Sequence, residues 1–384
     1  MSLFHLPTRP TPIRNSIGGS LLVSGMSIEF VLTLTYQEGG GVCLCILTIS
    51  IFCMQVCLEI WGTDYNKIKE TCIFAERMGY YGFYYGEALA DIDLDCWTVI
   101  SNLIPLTNKI KLGPVITYLY PQYRSIALLA KQAVTFQEIS NGRLEFRTGA
   151  GATLQYAIQW WHPYGIDYPK EAERVLMLEE GLQVLKMLWN QQDSNVNKRP
   201  TTLSSVHYNG KYFKINGASP FKLDSSDTLT RKRIPITISA KRKRMLNLAA
   251  RFADIWETSY LSPQEYSKLN VEFEGMHQRL SNEVENTSNS DNSNRTRTIT
   301  SKSIELDVII AESDSDLEYK KKIFAMERGP GVYNQILKHG LIGTQEKVAA
   351  RVKEYTDAGI NQFFLAFQNP FDLKALELFM DATE

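Results

Sequence analysis

Histidine is scarce and cysteine is confined: five histidines occur in 384 residues, and Cys43, Cys45, Cys53, Cys57, Cys72 and Cys96 all fall in the first hundred. No repeated Cys-x-x-Cys pair and no following histidine cluster is present, which excludes a zinc ribbon and gives no disulfide framework. No resident metal is expected, and a reducing, cytoplasmic setting fits this cysteine usage. An excess of one charge is missing too, since 41 Lys+Arg against 42 Asp+Glu leave a net charge of −1. Without a long-range field to gather polyanions, a dedicated nucleic-acid partner is excluded. The chain also lacks GxSxG, HExxH, a P-loop and a paired-carboxylate motif. The one long uncharged run, Gly39 to Leu58, is nearly bilayer length but is broken by Thr48, Ser50, Gln55 and three glycines. It also overlaps VCLEIWG at 56–62, which reads as a first strand, so a membrane span is not expected.

With 44% apolar side chains the chain can bury a sizeable core. Residues 1–53 lack clear periodicity and are expected to be a poorly ordered or non-native tail, the functional domain beginning near Met54. From there strands and helices alternate. Apolar runs at 55–61, 81–87, 109–117, 143–151, 234–239, 254–260, 304–310 and 360–367 read as strands. Helical spacing follows most of them, at about 64–78, 94–107, 124–140, 170–190, 241–252, 262–280 and 344–358. The run VHYNGKYFKI at 206–215 carries Asn209-Gly210 between alternating segments and predicts a hairpin. Eight strands, apolar throughout, predict an α/β fold: a single (β/α)8 TIM barrel over 54–384 with a β-hairpin insertion, an open doubly wound sheet being the alternative. The Asn-, Ser- and Thr-rich segment 283–300 is expected to be a mobile loop.

In such a barrel the working rim lies at the C-terminal ends of the strands. The residues placed there are Trp61, Glu87, Thr117, Tyr118, Gly149-Ala150-Gly151 and Ser239-Ala240. Tyr118, Tyr120, Tyr123, Tyr156, Trp160 and Trp161 crowd the loops after the third and fourth strands, which suits a flat conjugated ligand or simply roofs the barrel. From Arg231 to Arg244 there are seven cations and no acid, and the last four open a helix. Cations at a helix N-terminus oppose its dipole at about 0.3–1 kcal/mol each. A phosphate cradled by that helix start with Lys241 and Arg242 would compensate them; a solvated basic turn is the plainer alternative. Glu87, ending an apolar strand, is the candidate acid or base, and His162 in WWHPYG is the histidine nearest the predicted rim.

Four stretches carry a family resemblance: LGPVITYLYPQYRSIALLAKQAVTFQEISNGRLEFRTGAG at 112–151, LEEGLQVLKMLW at 178–189, IPITISAKRKRMLNLAARFADIWE at 234–257 and GTQEKVAARVKEYTDAGINQFFLAF at 343–367. Together they resemble the luciferase-like monooxygenase superfamily of flavin- or deazaflavin-dependent barrels. The resemblance implies a cofactor ring over the barrel mouth, with a non-prolyl cis peptide near Val115-Ile116 beneath it. It implies a phosphate loop at Ser239, Ala240, Lys241 and Arg242, where Ser-Ala stands in place of the usual Gly-Gly, and a homodimeric assembly. The histidine often found beside the Glu87 position is Ala88, and Ala152 stands where some deazaflavin dehydrogenases have an acid. The added cations favour a deazaflavin of the coenzyme F-420 type, with its phosphodiester and acidic tail, over FMN. The expected function is hydride transfer between that deazaflavin and an organic small-molecule substrate. An FMN-dependent monooxygenase using dioxygen is the alternative, and a cofactor-free phosphate-binding isomerase or lyase is a further one. Site residues implied are Val115, Ile116, Thr117, Gly149, Ala150, Gly151, Ser239, Ala240, Lys241 and Arg242 for cofactor. Trp61, Tyr118 and Trp160 are assigned to substrate, and Glu87 and His162 to catalysis.

Overall fold

A computed structural model describes residues 54–189, 205–221, 233–286 and 299–383, except for the side chains of 155, 156 and 283–286, together with the backbone of strands between 16 and 52. Two compact units divide the chain, Met1–Met54 and Gln55–Glu384. In the first, β1 (Ser16–Ser24), β2 (Ser27–Glu38) and β3 (Gly41–Phe52) pair as an antiparallel meander, where sequence periodicity gave no strand. Residues 222–232 and 287–298 lie outside the described residues. Arg231 and Lys232 of the basic run, and most of the 283–300 insert, therefore receive no structural account.

The second unit is the predicted barrel. Strand β4 (Gln55–Ile60) leads into α1 (Tyr65–Arg77), whose first turn is capped by Asp64 accepting from the Asn66 and Lys67 amides. Then follow β5 (Gly82–Gly86), α2 (Cys96–Leu103), β6 (Lys111–Val115), α3 (Ile126–Ile139), β7 (Phe146–Thr148), α4 (Leu154–Trp161) and α5 (Glu171–Leu188). The predicted 94–107 helix ends early because Ile104-Pro105-Leu106 tightens into a 3-10 turn. The hairpin is present as β8 (Val206–Asn209) and β9 (Lys214–Ala218). Its turn is organised from outside: the Glu180 carboxylate accepts from the amides of Lys211, Tyr212 and Phe213.

The barrel resumes with β10 (Ile236–Ser239), α6 (Lys243–Phe252), β11 (Ile255–Ser259), α7 (Pro263–Asn286) and β12 (Ser301–Ile310). Between β12 and the predicted 344–358 helix the sequence reading had no elements. The structure has α8 (Asp314–Arg328), α9 (Pro330–His339), which starts at Gly329-Pro330, and the short β13 (Leu341–Gly343) beside the top of β12. Helix α10 (Gln345–Asp357), β14 (Gln362–Phe367) and α11 (Leu373–Thr383) finish the chain.

The strand order β6-β5-β4-β14-β12-β11-β10-β7 is parallel throughout. Every residue of β4 and of β14 is buried, as strands covered on both faces require. The seam between β6 and β7 is closed by isolated bridges, Leu112 with Leu144 and Thr117 with Thr148. Pro114, which has no N–H, and the shortness of β7 keep this seam from forming a full ladder. Gly113 permits it to close at all: a Cβ there would lie 2.2 Å from the backbone oxygen of Glu145 and 3.0 Å from the Tyr84 ring. Because a backbone atom cannot swing aside, Gly113→Ala should destabilise the fold by about 3 kcal/mol, read as a lowered urea midpoint. An unchanged midpoint would show that the seam yields.

Candidate active site

The third barrel strand, β6, brings Val115, Ile116 and Thr117 to the mouth, and the Val115–Ile116 peptide is cis, as the resemblance implies. Thr117 is fully buried and ties three strands together. Its N–H donates to the Arg147 carbonyl at 2.9 Å, its carbonyl accepts from the Thr148 hydroxyl at 2.7 Å, and its hydroxyl donates to Glu87 Oε2. Glu87, directly after β5, is 4% exposed. It also accepts from the Tyr123 hydroxyl at 3.2 Å and pairs with the Arg124 guanidinium, which lies over the Tyr123 ring. Burial pushes the Glu87 carboxyl up, while Arg124, and then Thr117 and Tyr123, pull it back. With both oxygens engaged, Glu87 holds Thr117 and Arg124 in place.

His162 is placed differently. It follows α4 in a single 3-10 turn, half exposed, with Nε2 3.7 Å from Asp167, and among the described residues no hydrogen bond or ion pair joins it to Glu87. Of the predicted aromatics, Tyr118, Tyr120 and Trp161 form one buried cluster with Tyr168, against which Tyr123, Trp160 and Ile116 pack. Trp161 meets Tyr118 and Tyr123 edge-on, at centroid distances of 5.0 and 4.5 Å. Trp61 stands apart, with the Arg328 guanidinium 5.2 Å from its ring centre. The side chain of Tyr156 is outside the described residues.

The Gly149-Ala150-Gly151 turn leans on this aromatic cluster. Gly151 has φ +78°, and a Cβ there would lie 2.4 Å from the Tyr168 hydroxyl and 2.6 Å from that of Tyr120. Those hydroxyls, with Arg174, hold the turn by its carbonyls. Ala150 O accepts from Tyr120 and Arg174 Nε, and Ala152 O from Tyr168 and Arg174 Nη2, at 2.7–3.1 Å. Arg174 was missed from sequence, although a cation among the buried positions of α5 was a readable signal.

Across the turn lies the start of α6. The Ser239 Cβ would be 3.6 Å from a Cβ at Gly149. Ala240 is fixed by an N–H to Glu257 O and by accepting the Trp256 indole N–H. Arg242, at the N-cap, offers no side-chain cap, and the first turn of α6 holds no acid. Among the described residues, no cap side chain or first-turn acid thus accepts from the leading amides of this helix, at the positive end of its dipole beside Lys241, Arg242 and Lys243. Desolvation at the rim draws the Lys241 ammonium below the usual lysine range, against the pull of Glu305, and its Nζ donates to Ser259 O at 3.1 Å. Arg242 has only an exposed partner, Glu171. This donor set fits a phosphate.

A second feature escaped the sequence reading. Arg147, wholly buried inside the barrel, donates to Glu59 Oε1 at 2.6 Å and Glu257 Oε2 at 2.8 Å, and its Nη2 lies 3.6 Å from Glu305 Oε2. Its guanidinium stacks 3.8 Å from the Phe364 ring centre. Charges set within the otherwise apolar runs VCLEI, EFRT, IWETS and IELDV were the available signal.

Comparison with known proteins agrees with the fold. The sequence model of the luciferase-like monooxygenase family matches residues 51–278. A 5,10-methylenetetrahydromethanopterin reductase from Archaeoglobus fulgidus is 31% identical over 179 residues, which span 46% of this chain and 45% of that relative, so the match covers about half of each. Among solved structures, an F-420-dependent secondary alcohol dehydrogenase in complex with an F-420–acetone adduct superposes with a TM-score of 0.65 at 16% identity, covering 86% of this chain and 98% of that one. An EDTA monooxygenase from Chelativorans sp. BNC1 superposes with a TM-score of 0.62 at 15% identity, covering 85% and 92%. At these identities the superpositions establish the fold.

The Glu87–Arg124 pair gives a pH test. Removing Arg124 leaves the buried Glu87 without its cation, raising its folded-state pKa further above the unfolded value of about 4.3. Such a group favours the fold while protonated, and this contribution is lost as pH rises from the unfolded pKa through the folded one. Arg124→Gln should therefore cost about 3–5 kcal/mol at neutral pH and clearly less near pH 4, measured by urea unfolding at both. A loss independent of pH would mean that Glu87 is not charged in the wild-type fold.

Proposed function

The chain belongs to the luciferase-like monooxygenase family, and on that premise we propose an oxidoreductase that holds a deazaflavin of the coenzyme F-420 type over the barrel mouth, for hydride exchange with an organic small molecule. The observation that carries this reading is the uncapped, acid-free start of α6 set against the Gly149–Gly151 turn. When bound, the deazaflavin supplies a two-electron hydride carrier. The amides leading α6, with Lys241 and Arg242, take its phosphate; Ser239 and Ala240 bring the backbone to it. Val115, Ile116 and Thr117 underlie the ring from one side and Gly149, Ala150 and Gly151 from the other. Trp61, Tyr118 and Trp160 meet the substrate and keep water from it. Of the two catalytic candidates, the geometry favours Glu87 as a positioning group, held by Thr117, Tyr123 and Arg124. His162, exposed near Asp167, is the proposed group for a substrate entering from solvent. The A. fulgidus reductase, 31% identical over about half its length, supports a reductase reading over a monooxygenase.

Buried, unpaired Cys57, Cys72 and Cys96 support a reducing compartment, which we take to be the cytoplasm. Among the described residues no helix is long and apolar enough to cross a membrane. We take the assembly to be a homodimer on the family resemblance.

Titration of the wild type, Lys241→Gln and Arg242→Gln with deazaflavin and with FMN tests the reading. A charge-assisted hydrogen bond of about 1.5–3 kcal/mol makes each variant roughly ten- to a hundredfold weaker for the true cofactor. Affinity should fall as salt rises, and apo stability should hold, since the Arg242–Glu171 pair is exposed and such pairs contribute about 0–1 kcal/mol. Preference for FMN with oxygen consumption would move the assignment to the monooxygenase. Binding of neither cofactor would remove both.

A further inference from the structure

Beneath the mouth, four strands deliver charge to one place. Glu59 from β4, Arg147 from β7, Glu257 from β11 and Glu305 from β12 meet inside the barrel. Three carboxylates thus share one guanidinium. Two atoms show that the sharing is incomplete: Arg147 Nη2 and Glu257 Oε1 are buried without a hydrogen-bond partner. Glu305 is the only member open toward the mouth, with a fifth of its side chain exposed where the others are buried. On that open side the Tyr260 hydroxyl donates to Glu305 Oε1 at 2.7 Å. Tyr260 follows the last residue of β11 and holds φ +53°, a left-handed backbone that a bulky aromatic rarely adopts.

We propose that this cluster is a proton reservoir for the mouth: it retains one exchangeable proton among Glu59, Glu257 and Glu305, and releases it through Glu305 and Tyr260 to a molecule bound above. Three ionised carboxylates around one cation inside the barrel leave two negative charges uncompensated, and keeping a proton removes one of them. The surrounding charges do not relieve this. Asp307, one pleat above Glu305, adds another carboxyl, pushed up to about 7 by burial despite Arg328. Glu145, just before β7 and two residues from Arg147, also acts against Glu257. Lys241 attracts Glu305 from the rim, while His339, beside the Tyr260 ring, is held low at about 4 by burial and brings no charge at neutral pH. Burial, then the like charge of Glu305, push Glu59 up to about 8; burial pushes Glu257 up to about 7.

In the release step the carboxyl O–H bond breaks and its electron pair stays on the carboxylate. The proton bonds to the substrate heteroatom left electron-rich by hydride addition. The cluster is recharged by one proton from solvent through the same two residues. The delivery half of this inference rests on the proposed function; the stored proton does not.

The test uses the full apo chain, with infrared difference spectra following carboxylic acid C=O absorption as pH is raised. The wild type should show a protonated carboxyl at neutral pH that disappears between about pH 7 and 9. Glu305→Gln removes a neighbouring negative charge and should lower that midpoint by about one pH unit or more. Glu59→Gln serves in its place if Glu305→Gln does not fold, with the same downward shift expected. Tyr260→Phe should leave the midpoint in place but slow the exchange of this proton with heavy water at least about tenfold, because the exit hydroxyl is gone. No protonated carboxyl in the wild type, a midpoint unmoved by the glutamate variants, or unchanged exchange in Tyr260→Phe would each overturn the proposal. In weak buffer, closing the mouth above the cluster with FMN or deazaflavin should cause proton uptake by the wild type and less by Glu305→Gln, whose cluster carries one carboxylate fewer. Binding without uptake overturns the link to the mouth. Failure of both cofactors to bind defeats the functional reading, while the apo titration still decides the reservoir.

Discussion

Arg147 is the constraint on which the rest of the molecule depends. Burying a guanidinium inside a barrel is costly, and even a well-paired buried charge adds little net stability. Removing one partner from such a set, however, costs about 3–5 kcal/mol, so the set fixes geometry even where it adds little stability. Here the partners come from β4, β11 and β12, on both sides of the strand order, and Arg147 itself lies on the short β7 at the closing seam. A one-residue slip of any of these strands would turn its charge out of the interior. The polar set thus enforces the register that closes the barrel.

From that register the mouth follows. The Arg147 carbonyl accepts the Thr117 amide, so the strand carrying the buried guanidinium also seats the residue that binds Glu87. One residue further, Thr148 holds the Thr117 carbonyl, and the chain turns through Gly149–Gly151. Arg174 and the Tyr120 and Tyr168 hydroxyls then take the carbonyls of that turn from the aromatic side. The result is a rim in which carbonyls are satisfied away from the start of α6 and cations gather beside it. An anionic, planar cofactor bound there, as proposed, would meet complementary charge at one end and a close-packed wall at the other.

Much of this was legible in the sequence, and the reason is local. Most barrel strands are apolar runs followed within a few residues by a glycine or an N-cap, so the eight strands and their order of appearance could be read directly. The asparagine-glycine step gave the hairpin, but not the role of Glu180, which arrives from a helix about thirty residues away. The basic run predicted an anion site because a cation at a helix start is locally unfavourable. Interior partners were illegible for the opposite reason. Glu59, Arg147, Glu257 and Glu305 lie on four different hydrophobic strands, and only closure brings residues 88 and 110 positions apart into contact. The 311–343 region went unread because α8, α9 and β13 insert after a strand where the repeating pattern expects one helix.

Hydrogen–deuterium exchange of the full chain, with and without saturating cofactor, tests the central claim that the barrel mouth receives it. Added deazaflavin should protect the amides of the Gly149–Gly151 turn and the first turn of α6 together, and leave α8 and α9 unchanged, with FMN doing the same if it is the true ligand. Protection confined to other elements, or none at either segment with a cofactor that binds, would contradict the account.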